Sequence, residues 1–526
     1  MANKRSDWNI SRRHFFFGAL AAGAMPLGGW GSVPSLRRLG FKSPNEKLNI
    51  ACIGAGGRAT SDIAGVSGEN LVAFADPDSK RAARTFAKYP AQPKYKDFRR
   101  MLDKEAKNID AVTIAIPDFM HATAAMTAME MGKSVYCEKP LTHTPWEARM
   151  ITQAAARYGV ATQMGNQGYS EDGTRIACEI IWSGAIGNVT EVHAWTDRPR
   201  GWWPQGFDQI PSPDAVPPTL DWDVWQGVSA VRPYTSGGAA YAEILQAQHL
   251  KSSYSFYQPF NWRGFLDFGC GPVGDMACHI LGAPNMALML GSPLSVETIQ
   301  HTPRNSLSYP SHTVTRFEFG PRGDMPPVTV YWYDAADGPA YRPPGIAEDE
   351  WLVGGPGSFG KGGVRVPEPP PAPVTETAMV SDATKASAIP PAVARARAQS
   401  NGAIFVGDKG YLGTDTYAEH VRLLPEARNA EYKLPPEVLT RSPGHYQDWI
   451  RAAKGGEPSC SNFSISGPFS EWVLLATIAM RIEGKLLWDS ANLRFTNNDQ
   501  ANRLVRPEFR KTWSQVWHGK KLASQA

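Results

Sequence analysis

The stretch Asn49-Ile50-Ala51-Cys52-Ile53-Gly54-Ala55-Gly56-Gly57-Arg58-Ala59, followed by Val72-Ala73-Phe74-Ala75-Asp76, decides how this chain begins to fold. Five apolar-rich residues read as a buried strand, the glycines as a turn, and the segment after them as a helix leading to a second strand that ends on an acid. Such an order is the opening of a dinucleotide-binding unit. Gly54 permits the tight turn, Gly56 lets a pyrophosphate approach the backbone, and Ala59 keeps the helix close to the sheet. Gly57 and Arg58 lead into the helix, whose first N–H groups lack intrahelical partners and favour phosphate. Asp76 can accept both hydroxyls of an adenosine ribose and would repel a 2′-phosphate, so NAD is favoured over NADP. A glycine pattern alone also suits a flexible turn; the complete strand–turn–helix–strand–acid order does not.

At 526 residues the chain has room for two or three domains with large cores. Residues 1–30 read as none of them. Ser11-Arg12-Arg13-His14-Phe15-Phe16-Phe17 precedes a short apolar run rich in Gly and Ala. Paired arginines before such a run match a twin-arginine signal peptide. The run is short and glycine-rich for a membrane span, and Gly18, Gly23, Gly28 and Gly29 disfavour an amphipathic surface helix. Export to the periplasm or beyond is therefore expected, with no stable transmembrane span after cleavage. A dinucleotide enzyme outside the cytoplasm needs a tightly held cofactor. Residues 1–42 hold seven Lys/Arg against one Asp, a net +6 within a formal total of +4, so the remainder is at −2. The basic balance belongs to the leader, and nucleic acid is not implied. Six cysteines without a C-x-x-C pair argue against a disulfide framework.

Residues 31–46 read as a linker and 47–165 as the dinucleotide domain. Its later strands are expected at Ala111–Ile116, Ser134–Cys137 and Val160–Met164, with helices over His121–Met131 and from Thr144 to about Tyr158. Pro145 and Glu147 mark an early helical turn. Beyond Gly165 the texture changes, and 166–515 read as a second, α+β domain with an open, mostly antiparallel sheet. Glu171–Ser183 reads as helix, and Val189–Thr196, Val314–Phe319 and Val328–Tyr333 as strands. A hairpin is expected around Gly407-Asp408-Lys409-Gly410, and helices near 444–454 and 468–482. Residues 198–235 read as a long ordered loop, and 335–400 as a Gly/Pro-rich insertion with little regular structure.

Three features carry chemistry. Lys139 follows a strand end and is held by Pro140, so its ammonium can stabilise oxygen charge. Asp275 and His279 are four apart, on one face if helical, where the imidazole can take a hydroxyl proton and the carboxylate orient ring or substrate. The same spacing also suits a surface pair or an incomplete metal site. Gly269-Cys270-Gly271-Pro272-Val273-Gly274 lets backbone come close before them.

Gly54-Ala55-Gly56-Gly57, Asp76, Ile116-Pro117 through His121, Cys137-Glu138-Lys139-Pro140 and Gly271 through His279 together resemble the glucose-fructose oxidoreductase / inositol dehydrogenase / rhizopine-catabolism family. The resemblance covers 47–285 and, more loosely, the later sheet. It implies NAD(P)-dependent oxidoreduction of a sugar, sugar derivative or cyclitol, with Lys139, Asp275 and His279 as the catalytic group. It places Pro117, His121, Glu138 and Gln167 on the cofactor side and implies a homodimer or homotetramer. The chain departs from simpler members at Trp202-Trp203, Asp221 through Trp225, and Tyr257 through Arg263. Trp262, Arg263 and Tyr257 are the substrate-binding candidates, while Trp222 and Trp225 are expected to pack. A related branch oxidises transiently, eliminates a glycosidic substituent, adds water and re-reduces, giving a glycoside hydrolase without net redox change. A non-catalytic sugar-binding protein is the third reading. No histidine–carboxylate cluster stands at metal-ligand spacing in the sequence, so no metal is expected.

Overall fold

The computed structural model describes residues 46–252, 254–367 and 399–513. The expected signal peptide, nearly all of the linker and the Pro369-Pro370-Pro371 part of the insertion lie outside the described residues. Six strands form the first sheet: β1 Asn49–Ile53, β2 Asn70–Ala75, β3 Lys94–Tyr95, β4 Ala111–Ile114, β5 Ser134–Cys137 and β6 Thr162–Met164. Their order is β3-β2-β1-β4-β5-β6, and every pair is parallel. The strand order reverses between β1 and β4, the point at which open α/β sheets place their ligand crevice. β4 is buried at every position, as a strand covered by helices on both faces must be.

Helix Pro145–Tyr158 forms as the sequence signals direct. Thr144 Oγ1 accepts from the Glu147 amide, while the Glu147 carboxyl accepts from the Thr144 amide at 2.9 Å. Gly159 ends the helix in the left-handed region, with φ 62°. Helix Asp118–Glu130 starts three residues earlier than expected, because Pro117 holds an extended backbone immediately before it.

The second sheet has nine strands: β7 Val189–Trp195, β8 Ser295–His301, β9 Thr313–Phe319, β10 Val328–Tyr333, β11 Gly402–Gly407, β12 Gly410–Asp415, β13 Val421–Leu424, β14 Leu486–Asp489 and β15 Arg494–Phe495. Their order is β13-β12-β11-β7-β10-β9-β8-β14-β15. Only β7 and β10 pair in parallel; the other neighbours are antiparallel. Along β10 burial alternates residue by residue, the pattern of a sheet with one covered face. The Gly407–Gly410 hairpin stands where expected.

Two late helices return to the first sheet. Trp449, on helix His445–Ala453, packs fully buried with Leu48, Ile50 and Tyr136. Helix Phe463–Ala479 begins five residues before the expected 468, because Asn462 caps it by accepting from the Ser464 amide at 3.0 Å. Pro468 is tolerated inside its second turn. Arg149 binds Glu471 in two parallel contacts of 2.7 Å, fastening this helix to Pro145–Tyr158. Among the described residues no helix is long and apolar enough to cross a membrane. All six cysteines are free thiols.

The capping box at Thr144 and Glu147 is testable. Thr144→Ala should cost about 1–2 kcal/mol, seen as a lower denaturation midpoint, whereas Thr144→Ser should stay close to the parent.

Candidate active site

A cavity of about 450 Å³ opens at the strand reversal and runs from the glycine turn to Asp275. Gly54 has φ +95°, and a Cβ there would strike the Ala115 carbonyl oxygen, so the turn is tight because β4 lies beside it. Gly56 has a different neighbour from the one expected. Its missing Cβ faces the Arg81 Cγ and carbonyl oxygen, each 2.6 Å from where it would stand, so the open space beside the glycine receives helix Ser79–Lys88. The Gly57 face likewise meets the Arg81 guanidinium. Gly54, Gly56, Gly57 and Arg58 nevertheless line the cavity.

Asp76 lines the same end. Its carboxylate accepts from the Ala55 and Asp78 amides, each at 2.9 Å. Burial pushes its pKa up to about 6, against the lowering effect of those two amides. Each carboxylate oxygen keeps further lone-pair capacity.

Glu138 and Lys139 leave the end of β5 together. Glu138 Oε1 accepts from Arg58 Nε at 3.0 Å and from the Tyr136 hydroxyl at 3.2 Å. Tyr136 also meets His445 Nε2 at 3.1 Å, linking this edge of the cavity to a late helix. His121 is pinned between the carbonyl oxygens of Pro140 and Ile116, both 2.7 Å away, so it braces the strand ends. Pro117 and His121 line the cavity; Gln167 does not.

Lys139 Nζ reaches the Asp275 carbonyl oxygen and lies 3.0 Å from Asp275 Oδ1. Arg263 Nε donates to the same oxygen at 3.0 Å, and Arg198 donates to Oδ2. One carboxylate thus holds three cations. Burial opposes its ionisation, but Lys139, Arg198 and Arg263 outweigh that and keep its pKa well below the usual range. Asp118, in the same cavity, accepts from the Cys270 amide at 3.1 Å; burial pushes its pKa up to about 7, with Arg263 acting the other way.

Asp275 sits in a π-turn, Val273–Ala277, and His279 in the single α turn after it. Such an interruption is frequent at functional sites. The α-helical face expected for this pair is absent: Asp275 lines the cavity and His279 is not among its lining residues. His279 packs edge-on against Tyr417, with ring centroids 4.7 Å apart, and its Nδ1 is buried without a hydrogen-bond partner among the described residues. Burial first, and the Lys139 charge second, hold the imidazole well below its usual pKa.

Trp262 and Arg263 line the cavity as expected. Tyr257 does not: it is 1% exposed within an aromatic cluster that includes Trp222, Phe256 and Phe265. Trp222 and Trp225 stack at 4.7 Å, in line with their packing role, although an edge of Trp225 reaches the cavity. Arg198 and Asp118 went unnoticed in the sequence reading. Arg198 opens an irregular stretch with no local pattern, and Asp118 reads only as a first-turn helix acid. A further trio, Asp415, Glu419 and His420, brings ligand atoms within 4.8 Å of one another away from the cavity, with His420 Nδ1 2.6 Å from Asp415 Oδ2.

Comparison with known proteins covers mainly the first domain. Residues 48–166 match the GFO_IDH_MocA model, an oxidoreductase family with an NAD-binding Rossmann fold. Inositol 2-dehydrogenase 4 of Saccharopolyspora erythraea is 34% identical over 119 residues, which are 22% of this chain and 35% of that protein. Levoglucosan dehydrogenase of Pseudarthrobacter phenanthrenivorans is 27% identical over 174 residues, 30% of this chain and 43% of that one. The chain therefore spans less than half the length of these relatives. The solved WlbA dehydrogenase of Chromobacterium violaceum, in complex with NADH and UDP-GlcNAcA, shares the fold at TM-score 0.50 and 12% identity, over 85% of this chain and 98% of that one. The first domain of this chain is thus homologous to the Rossmann domain of the GFO_IDH_MocA oxidoreductases, and NAD is its cofactor.

Proposed function

We propose that this protein is an NAD-dependent oxidoreductase acting on a hydroxyl of a sugar, sugar derivative or cyclitol. The observation that carries the reading is the contact of Lys139 Nζ with the Asp275 carboxylate, 3.0 Å, in a cavity whose other end is the glycine turn and Asp76. The first end fits a dinucleotide: Gly54, Gly56 and Gly57 line it, and Asp76 presents an acceptor for ribose hydroxyls. Arg58 stands beside the turn as the counter-charge for a pyrophosphate.

When bound, the nicotinamide ring accepts or returns a hydride. The chain supplies the proton chemistry. Lys139, steadied by Asp275, donates to the substrate oxygen and stabilises its developing charge. His279, kept neutral by burial and by the Lys139 cation, is the proton acceptor in this reading, although it lies behind the cavity lining with its Nδ1 unpartnered among the described residues. Asp275 stays ionised throughout because three cations surround it. Trp262 offers an apolar face to the C–H side of a ring substrate. Arg12-Arg13 and the apolar run after them extend the proposal to twin-arginine export with the cofactor bound. Exposed Leu294, Ile299 and Leu487 beside β8 and β14 support assembly into a homodimer or homotetramer.

Three outcomes are expected. Lys139→Met should lower turnover by about 10²–10⁴-fold on whichever sugar or cyclitol is active, while mass spectrometry still finds NAD in the purified protein; full turnover in this variant would end the assignment. A panel read for both NADH and released aglycone separates net dehydrogenation, which accumulates NADH, from redox-assisted glycoside cleavage, which does not. NAD affinity should weaken as pH falls through about 6, because Asp76 is ionised above that value and protonated below it. Calorimetric titration with NAD at pH 5 and pH 8 measures the difference.

A further inference from the structure

The substrate end of the cavity holds more positive than negative charge. Lys139, Arg198 and Arg263 converge on Asp275, with side-chain exposures of 13%, 16% and 17%. Glu138, which also lines the cavity, is engaged by Arg58 and Tyr136. Asp118, in the same cavity, is engaged by the Cys270 amide at 3.1 Å. Three cations therefore face the carboxyl groups of Asp275 and Asp118.

The two arginines are also fixed in place. The Arg198 guanidinium lies over Trp202 at 3.8 Å, and Arg263 lies over Phe260 at 4.1 Å and Trp262 at 4.3 Å. Arg198 Nε is buried and has no hydrogen-bond partner among the described residues. A buried guanidinium N–H left unmade costs more than an ordinary missing hydrogen bond. Its planar fork matches a carboxylate, and the aromatic faces hold it ready.

We propose that the sugar accepted by this site carries a carboxylate, as in a uronic acid or its glycoside, and that Arg198 and Arg263 bind that group beside the hydroxyl addressed by Lys139. This rests on the oxidoreductase reading above and names its substrate class. Arg198 and Arg263 then determine specificity, since a neutral sugar leaves their surplus charge and the Arg198 N–H uncompensated. A charge-assisted bond of this kind sets the expected discrimination at about tenfold or more.

The test uses the full-length NAD-loaded protein in calorimetric titrations with two probe pairs: methyl β-D-glucuronide against methyl β-D-glucopyranoside, and the corresponding galacturonide against galactoside. Each acid should bind at least about tenfold more tightly than its neutral partner, and the gap should narrow as NaCl is raised. Arg198→Gln and Arg263→Gln should each remove most of the gap while NAD binding persists; Arg263→Lys, which keeps the charge without the fork, should remove part of it. If a glutamine variant does not fold, the salt dependence of the parent protein decides. Equal affinity for acid and neutral probes overturns the acid-sugar class and leaves the oxidoreductase reading standing. A gap that survives both glutamine substitutions overturns the assignment to these arginines. Binding of no sugar, including myo-inositol, while NAD is retained overturns both.

Discussion

The substrate end of this molecule is organised by one carboxylate. Asp275 receives Lys139 from the end of a parallel strand, Arg198 from the start of an irregular stretch after β7, and Arg263 from the segment just before its own turn. Taking a carboxylate out of water costs several kcal/mol, and only close, well-directed cations return that energy. The same arrangement binds the cations, which share this carboxylate as an ion-pair partner. First-domain and second-domain segments are therefore held together at the point where the chemistry is proposed.

The platform beneath is conventional in its physics. A parallel sheet buried on both faces needs helices on each side, and the late helices His445–Ala453 and Phe463–Ala479 supply part of that cover after the chain has built its second sheet. Their return has a chemical consequence. Tyr136, packed at an angle against the rings of His445, Tyr446 and Trp449, directs its hydroxyl to both His445 and Glu138, and Glu138 holds Arg58 at the glycine turn. The cofactor end is thus braced from a region more than 300 residues away in sequence.

Electrostatics divides the cavity into two regions. At the glycine turn, Asp76 is an acid whose ionisation is made harder by burial, placed where the proposed reading puts a neutral ribose. At the other end the cations exceed the acids, and the proposed proton acceptor His279 is kept neutral by that excess as well as by burial. In the proposed reaction the charge of Lys139 would act on the substrate oxygen as well as keeping the imidazole neutral. Aromatic rings beneath Arg198 and Arg263 limit the rotamer freedom that binding would otherwise have to remove.

The sequence alone determined what depends on neighbours a few residues apart: the β1–turn–β2 unit with Asp76, the helix start around Thr144, Pro145 and Glu147, the Lys139-Pro140 strand end and the β11–β12 hairpin. Each is a local preference of backbone or cap that later packing leaves unchanged. Only the tertiary structure decided that Arg198 joins Lys139, Arg263 and Asp275, that Tyr257 belongs to an aromatic core, and that Arg81 occupies the space beside Gly56. Those outcomes turn on how irregular segments and distant helices meet, and no periodicity records them. The pairing expected of Asp275 and His279 shows the boundary: their spacing was visible, but a π-turn, set by packing around the cavity, decided which of the two faces it.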